Sequence, residues 1–380
     1  MKYDTKILHG AADRDPYTGA LSIPIYPAST YHQKNIDEAP GYVYSRAGNP
    51  TRRALEETLA MLEGGARAYA FASGVAAITA ALTAVLSAGD HIVATRDIYG
   101  GSYRLLTDYL DRFGIEHTFA DTSDPREVER AIRPNTRVLF LESPSNPLLK
   151  IIDFEAMAAI ARARGCITIL DNTFLTPYFF RPLDFGIDMS VHSATKFLGG
   201  HSDLLAGAVI TKSRELGEQV YRVQATTGGV LSPENSWLLL RGIKTLRARM
   251  TLQAEGAMRI ARWLADQRWA TSVYYPGLPE HPGHDILKRQ ATGFGAVVSF
   301  TTDSVARAHA IMKHVQYWTV AVSLGGVESI LSYPSRMSHA ALPVETRESL
   351  GITDTLIRLS VGLEDADDLI EDLARAAEAR

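Results

Sequence analysis

The sequence predicts an α/β protein: a large domain built on a mostly parallel sheet, followed by a smaller α/β domain. Three observations predict it. From Thr51 onward, short apolar runs rich in β-branched residues alternate with helix-like stretches. That is the pattern of parallel strands joined by helices that cover both sheet faces. Near residue 235 the texture shifts to one long helical stretch and then to widely spaced short strands. Finally, 380 residues are too many for one ordinary core, so two packed domains are expected.

The elements follow in order. Residues 1–50 are punctuated by Gly10, Pro16, Gly19, Pro24, Pro27, Pro40, Gly41, Gly48 and Pro50 and read as an arm without regular structure. Such an arm is unusual in a compact domain, and wrapping a partner subunit is a job that suits it. Arg53–Leu62 reads as a helix stopped by Gly64-Gly65, Ala68–Ala72 as a strand, and Gly74–Ser87 as an Ala-rich helix. Strands are then expected at His91–Thr95, Ile115–Ala120, Arg137–Leu141, Ile167–Leu170, Met189–His192 and Ala206–Thr211. Helices are expected at Tyr103–Phe113, Pro125–Ile132 and Phe154–Arg164. Beyond residue 235, Asn235–Gln267 reads as one long helix. Strands are expected at Val273–Tyr275, Ala296–Phe300, Thr319–Val322 and Leu356–Leu359, and helices at Val305–Val315 and Ala366–Ala377.

Composition narrows the function classes. Hydrophobic residues make up 46% and charged residues 22%, with a formal net charge of -4, so nothing favours nucleic acid or an anionic membrane as a partner. A single cysteine, Cys166, rules out an internal disulfide. Its place at a buried strand start reads as structural rather than catalytic. No apolar run reaches the roughly 18 residues a membrane span needs, and the N-terminus lacks a signal-peptide apolar core. A cytoplasmic location is expected.

Four segments carry chemistry. In Ser190-Val191-His192-Ser193-Ala194-Thr195-Lys196-Phe197-Leu198-Gly199-Gly200, a strand runs into small hydroxylated residues and one lysine. Partial desolvation at a strand end lowers a lysine's pKa and frees its amine as a nucleophile. The small neighbours leave room for a flat ring, and Ser193 and Thr195 can donate to a phosphate. The alternative is a lysine that snorkels to water. In Ile169-Leu170-Asp171-Asn172-Thr173, an acid directly after a core strand needs a partner; it suits a pyridine nitrogen, or else caps a turn. In Phe71-Ala72-Ser73-Gly74-Val75, a strand passes through Ser-Gly into a helix, whose free N–H groups suit a phosphate, although Ser-Gly also serves as a plain cap. In Asp97-Ile98-Tyr99-Gly100-Gly101-Ser102-Tyr103-Arg104, Tyr99 sits at the same sheet edge and can stack on a ring, or be an ordinary loop tyrosine.

Together these segments resemble the Cys/Met-metabolism family of pyridoxal 5′-phosphate (PLP) enzymes. The resemblance extends from Tyr42-Val43-Tyr44-Ser45-Arg46-Ala47-Gly48-Asn49-Pro50-Thr51, through Glu142-Ser143-Pro144-Ser145-Asn146-Pro147, to Leu356-Ile357-Arg358-Leu359-Ser360-Val361-Gly362-Leu363-Glu364-Asp365. It implies an aspartate-aminotransferase-like (fold type I) architecture with a seven-stranded large sheet. The implied division is an arm at 1–50 touching a neighbouring subunit, a PLP-binding domain at 51–235 and a C-terminal domain at 236–380. Lys196 would hold PLP as a Schiff base and shuttle protons, Asp171 would pair with the ring nitrogen, and Tyr99 would stack on the ring. Ser73, Gly74, Val75, Ser193 and Thr195 would surround the phosphate. Tyr44 and Arg46 would reach the phosphate of a neighbouring subunit, giving a dimer with shared sites and, from two dimers, a homotetramer. Asn146 would lie near the ring hydroxyl and the substrate, Arg358 would grip the substrate α-carboxylate, and Ser323 would sit beside it. For Arg46 and Arg358 the alternative is a surface ion pair. Arg358 lies within an apolar strand, which favours a buried anionic partner. No metal is implied.

The reaction rests on three positions. Methionine γ-lyases carry a cysteine after Tyr-Gly, where this chain has Gly101, so that activity ranks last. Cystathionine γ-lyases and γ-synthases carry a glutamate just before Ser-Leu-Gly, where this chain has Val322. Arg104 matches a position placed to meet a distal carboxylate, which cystathionine has and methionine lacks. The run Ala321 to Asp365, with Ser329-Ile330-Leu331-Ser332-Tyr333-Pro334 and Met337-Ser338-His339-Ala340-Ala341, is most similar to cystathionine β-lyases of Gram-positive bacteria. The expected reaction is β-elimination of cystathionine to homocysteine, pyruvate and ammonia. The alternative is γ-elimination, or γ-replacement on an O-acylhomoserine. A relative that has lost catalysis and only binds or regulates is the contrasting class, and the joint presence of Lys196, Asp171, Tyr99 and Arg358 argues against it.

Overall fold

The structure is a computed structural model that describes residues 1–11, 14–38, 41–340 and 343–379. Pro40 of the N-terminal arm and Ala341 of the Met337–Ala341 motif lie outside those residues.

Seven strands form the first sheet: β1 (Arg67–Phe71), β2 (His91–Thr95), β3 (Glu116–Ala120), β4 (Thr136–Glu142), β5 (Ile167–Asp171), β6 (Met189–His192) and β7 (Gly207–Thr211), in spatial order β1-β7-β6-β5-β4-β2-β3. The β3-β2-β4-β5-β6 pairings are parallel, and β7 runs antiparallel to both β6 and β1. The sheet is therefore mostly parallel, as expected. Its central strands are buried on both faces because alternate residues feed two cores. Leu139, Leu141 and Leu170 enter one apolar cluster, while Val138, Phe140, Ile169 and Val191 enter the other. The C-terminal ends of β1, β2, β4, β5 and β6 share one edge, and the register aligns Glu142 with Asp171.

A second sheet has five strands, β8 (Ala270–Tyr274), β9 (Val297–Thr302), β10 (Thr319–Val320), β11 (Ile330–Ser332) and β12 (Leu356–Ser360), in order β10-β11-β12-β9-β8. All of its pairings are antiparallel except β10–β11.

Five expectations need correction. The arm is not without structure: Tyr3–His9 is a helix. Seven residues cannot hold a helix alone in water. This one is fixed by burial of Ile7 and by Tyr3, whose hydroxyl lies 3.0 Å from Leu62 O and 2.6 Å from Pro177 O. The single helix at Asn235–Gln267 is two, Pro233–Ile243 and Leu246–Ala265. The break comes where Gly242 O turns from helix bonding to accept from Thr245 Oγ1 (3.0 Å) and Arg249 Nη2 (2.8 Å). A helix at Arg214–Thr227, capped by Ser213 and ended by Gly228 at φ 75°, was not anticipated, nor was strand β11. The run expected as one helix at Tyr103–Phe113 begins earlier, at Gly100, and passes through a π-helical turn at Leu105–Leu110.

Candidate active site

The strand ends of the first sheet and the loops of the second enclose a cavity of about 500 Å³. Twelve of the fourteen residues singled out from the sequence line it: Ser73, Gly74 and Val75 from the β1 turn, Tyr99 and Arg104 after β2, Asn146 after β4, Asp171 at the end of β5, Ser193, Thr195 and Lys196 after β6, and Ser323 and Arg358 from the second sheet. Tyr44 and Arg46 do not line it. Both are exposed, with the Arg46 guanidinium 5.7 Å from the Tyr44 ring centre and Arg46 Nη1 bonded to Ala225 O.

Lys196 follows β6 in a turn tied down on both sides. Ser193 N donates to Thr173 Oγ1 at 2.8 Å, and Thr195 N to Ala206 O at 3.1 Å. The Thr195 hydroxyl is engaged with Ala206, accepting from its N–H at 2.9 Å and lying 3.2 Å from its carbonyl. Lys196 Nζ reaches Ser323 Oγ at 2.5 Å. Burial, and then the Arg358 charge, pull the amine down to about 8, so a substantial fraction is neutral near physiological pH.

Asp171 is buried. Its Oδ1 accepts from Thr173 N at 3.0 Å and from the Thr173 hydroxyl. Burial pushes its carboxyl up, while the Thr173 hydrogen bonds and His192 oppose that. Thr173 thus links the acid to the lysine turn through Ser193 N. The helix Gly74–Val85 points its N-terminus into the cavity; Ser73 Oγ takes the Ala76 N–H at 3.1 Å, and the earlier N–H groups of a helix have no intrahelical partner. The close packing requires a glycine at 74, since a Cβ there would lie 2.7 Å from Ser193 Cβ.

Arg358 sits in the middle of β12 at 2% exposure. Its Nη1 donates to Asn146 Oδ1 at 2.9 Å, and its Nη2 to Ser323 O at 2.7 Å and Ser332 Oγ at 3.2 Å. Its Nε is buried and has no partner among the described residues. Burial pulls the guanidinium down to about 10, still charged at neutral pH. Ser323 takes a left-handed backbone, φ 88°, a conformation a non-glycine residue holds only under constraint. That constraint includes the Arg358 bond to its carbonyl.

Glu142 also lines the cavity and received no role from the sequence, although it begins the Glu142–Pro147 motif. Its two oxygens accept from Tyr99 N at 2.9 Å and Asn146 N at 3.1 Å. Burial, and then Asp171, push its carboxyl well above the usual range. The readable signal was an acid at a parallel strand's end, the same one that marked Asp171. Met337 and Ser338 reach the cavity too; their loop position carried no such signal.

The fold and the cavity define a PLP enzyme of the aspartate-aminotransferase-like type. Residues 4–378 match the model of the family described as Cys/Met metabolism PLP-dependent enzyme, and the chain belongs to that family. It is 52% identical over 378 residues to cystathionine γ-lyase of Bacillus subtilis, covering 100% of both chains. It is also 52% identical over 373 residues to cystathionine β-lyase MetC of the same organism, covering 98% of this chain and 95% of that one. Cystathionine γ-lyase from Lactobacillus plantarum, solved in complex with L-serine, superposes with a TM-score of 0.98 at 46% identity, covering 100% of this chain and 99% of that one. The donor set here fits the family's cofactor: a partly desolvated amine, a buried acid in hydrogen-bonding surroundings, and a helix N-terminus at one cavity. Among the described residues no helix is long and apolar enough to cross a membrane.

Proposed function

We propose that the protein is a PLP-dependent carbon–sulfur lyase that cleaves L-cystathionine by β-elimination to homocysteine, pyruvate and ammonia. The observation that carries this reading is a pair of guanidinium groups on one cavity with the lysine: Arg358, buried and without a carboxylate partner, and Arg104, exposed. A buried cation like Arg358 is costly unless an anion arrives, and with Arg104 as a second, exposed guanidinium the cavity matches a substrate with two separate carboxylates.

Bound PLP supplies an electron sink for the charge left at the substrate Cα. Lys196 Nζ would hold the cofactor, remove the Cα proton and return protons. Asp171 would keep a positive charge on the ring nitrogen, and Tyr99, its backbone fixed by Glu142, would cover the ring. The Gly74 and Val75 N–H groups with Ser73 and Ser193 would bind the phosphate, and Thr195 would support that wall through Ala206. Arg358, steadied by Asn146 and Ser323, would receive the α-carboxylate as a fork, and Arg104 the distal one. Loss of the Cα proton and cleavage of the Cβ–S bond release homocysteine, and water converts the three-carbon remainder to pyruvate and ammonia.

Tyr44 and Arg46, exposed and away from the cavity, are assigned to the phosphate of a neighbouring subunit in a homotetramer of two dimers. We place the domain division at 235/236, supported by first-sheet strands lying within 67–211 and second-sheet strands within 270–360, and we assign the protein to the cytoplasm. One second reading has a specific support: the B. subtilis relative named a cystathionine γ-lyase is as similar, at 52%. Product analysis on L-cystathionine decides between them. Pyruvate with homocysteine is expected; 2-oxobutyrate with cysteine would replace β-cleavage by γ-cleavage.

A further inference from the structure

The helix Leu246–Ala265 carries two buried polar side chains one turn apart, Arg249 at 2% and Gln253 at 0% exposure. An i, i+4 spacing puts them on one face. Arg249 Nη1 donates to Phe197 O at 2.6 Å. Its Nη2 donates to Gly242 O at 2.8 Å and Leu198 O at 3.4 Å, and its Nε to Thr245 Oγ1 at 3.0 Å. Burial alone pulls this guanidinium down, to about 10, with no anion opposing it. A buried cation spent on carbonyls is expensive, and two of these carbonyls belong to the residues directly after Lys196.

Gln253 Nε2 donates to Gly326 O at 2.7 Å and Val361 O at 2.9 Å, while its Oε1 is buried without a partner among the described residues. An apolar side chain would spare the unpaired Oε1 but leave the Gly326 and Val361 carbonyls without these donors, so the amide's two bonds are what the position supplies. Gly326 lies three residues after Ser323 in the loop between β10 and β11, and Val361 follows the strand that carries Arg358. The Ser323 loop also touches the lysine turn. A Cβ on Gly325 would stand 2.6 Å from Phe197 N, and Lys196 Nζ bridges to Ser323 Oγ.

We propose that Arg249 and Gln253 are positioning residues: one helix clamps the lysine turn with Arg249 and the Ser323–Arg358 wall with Gln253, and so sets the distance between the Lys196 amine and the carboxylate site. The inference rests on the reading that Lys196 holds the cofactor and Arg358 the substrate carboxylate.

The test compares holoenzyme carrying Gln253→Met, Arg249→Met, Arg249→Lys and, as a control, Lys196→Ala. The readouts are the Schiff-base absorbance band, the PLP dissociation constant on reconstitution, KM against kcat for cystathionine, and the thermal midpoint. Gln253→Met is expected to raise KM about tenfold while band and PLP affinity stay parental. Arg249→Met is expected to weaken PLP affinity about tenfold, with partial recovery in Arg249→Lys. A helix that served stability alone would lower the thermal midpoint and leave KM and PLP affinity parental; that result overturns the proposal. If Arg249→Met does not fold, an unchanged KM in Gln253→Met overturns it by itself. A parent without a band that Lys196→Ala abolishes would sink the cofactor reading, and the proposal with it. A normal parent band with unmoved variants sinks the proposal alone.

Discussion

Lys196 and Arg358 face the same cavity from two sheets built in opposite ways. Lys196 follows the end of β6 in a mostly parallel sheet, where the parallel strands β2, β4, β5 and β6 stop at one edge and their next residues converge. Arg358 lies in the middle of a strand in a largely antiparallel sheet, bonded on both sides. The first arrangement is the usual one for open α/β sheets, in which ligands bind beyond the strand ends. The second is an exception that local structure does not ask for, since a mid-strand residue with an inward side chain is normally apolar. The difference separates two kinds of functional residue. The first is put in place by topology. The second, on the proposed reading, is tolerated by the fold because of the carboxylate it would bind.

Arg358→Ala should sharpen that contrast most. A buried carboxylate that loses a charge-assisted partner costs about 2–5 kcal/mol, so KM for cystathionine should rise by about 30-fold or more, while stability changes little because losing the buried cation offsets losing its bonds to Asn146, Ser323 and Ser332. An unchanged KM, or a sharp loss of stability, would make Arg358 a structural residue like any other in the strand. Arg104→Ala should act more weakly and selectively. Its side chain is exposed, so a loss of about tenfold is expected for cystathionine and little for cysteine, which has no distal carboxylate. Equal losses on both substrates would remove Arg104 from distal recognition.

The smallest effect links the two residues through pH. Lys196 is held near 8 by burial and then by the Arg358 cation. A nearby positive charge disfavours the ammonium, so the free amine of the apoprotein emerges as pH rises through about 8, and the rate of PLP uptake should climb over that range. Removing the cation in Arg358→Ala should move the midpoint upward, and Arg358→Lys should leave it near the parent value. A midpoint that stays put in the alanine variant would show that burial alone tunes Lys196.

The same contrast explains what was legible in the sequence. Asp171, Tyr99 and Lys196 were found because each follows a recognisable apolar strand, and His91–Thr95 and Met189–His192 form with the expected limits. Arg358 was found because a cation inside Leu356–Leu359 is conspicuous. Glu142 received no role although its position is of the same kind as that of Asp171; its two oxygens accept from the backbone N–H groups of Tyr99 and Asn146. Arg249 and Gln253 lie in the helical stretch Asn235–Gln267, where the sequence pattern does not set them apart from its other polar residues. Only the three-dimensional contact with residues 197, 198 and 326 distinguishes them. The helix Tyr3–His9 and the break after Ile243 are likewise products of tertiary contacts, which outweigh local propensity in short or interrupted helices.

The most direct measurement is borohydride reduction of the holoenzyme, followed by peptide mapping. The account predicts a phosphopyridoxyl group fixed on the peptide carrying Lys196, and none in Lys196→Ala. Labelling of another lysine, or no labelling of a protein saturated with PLP, would contradict it.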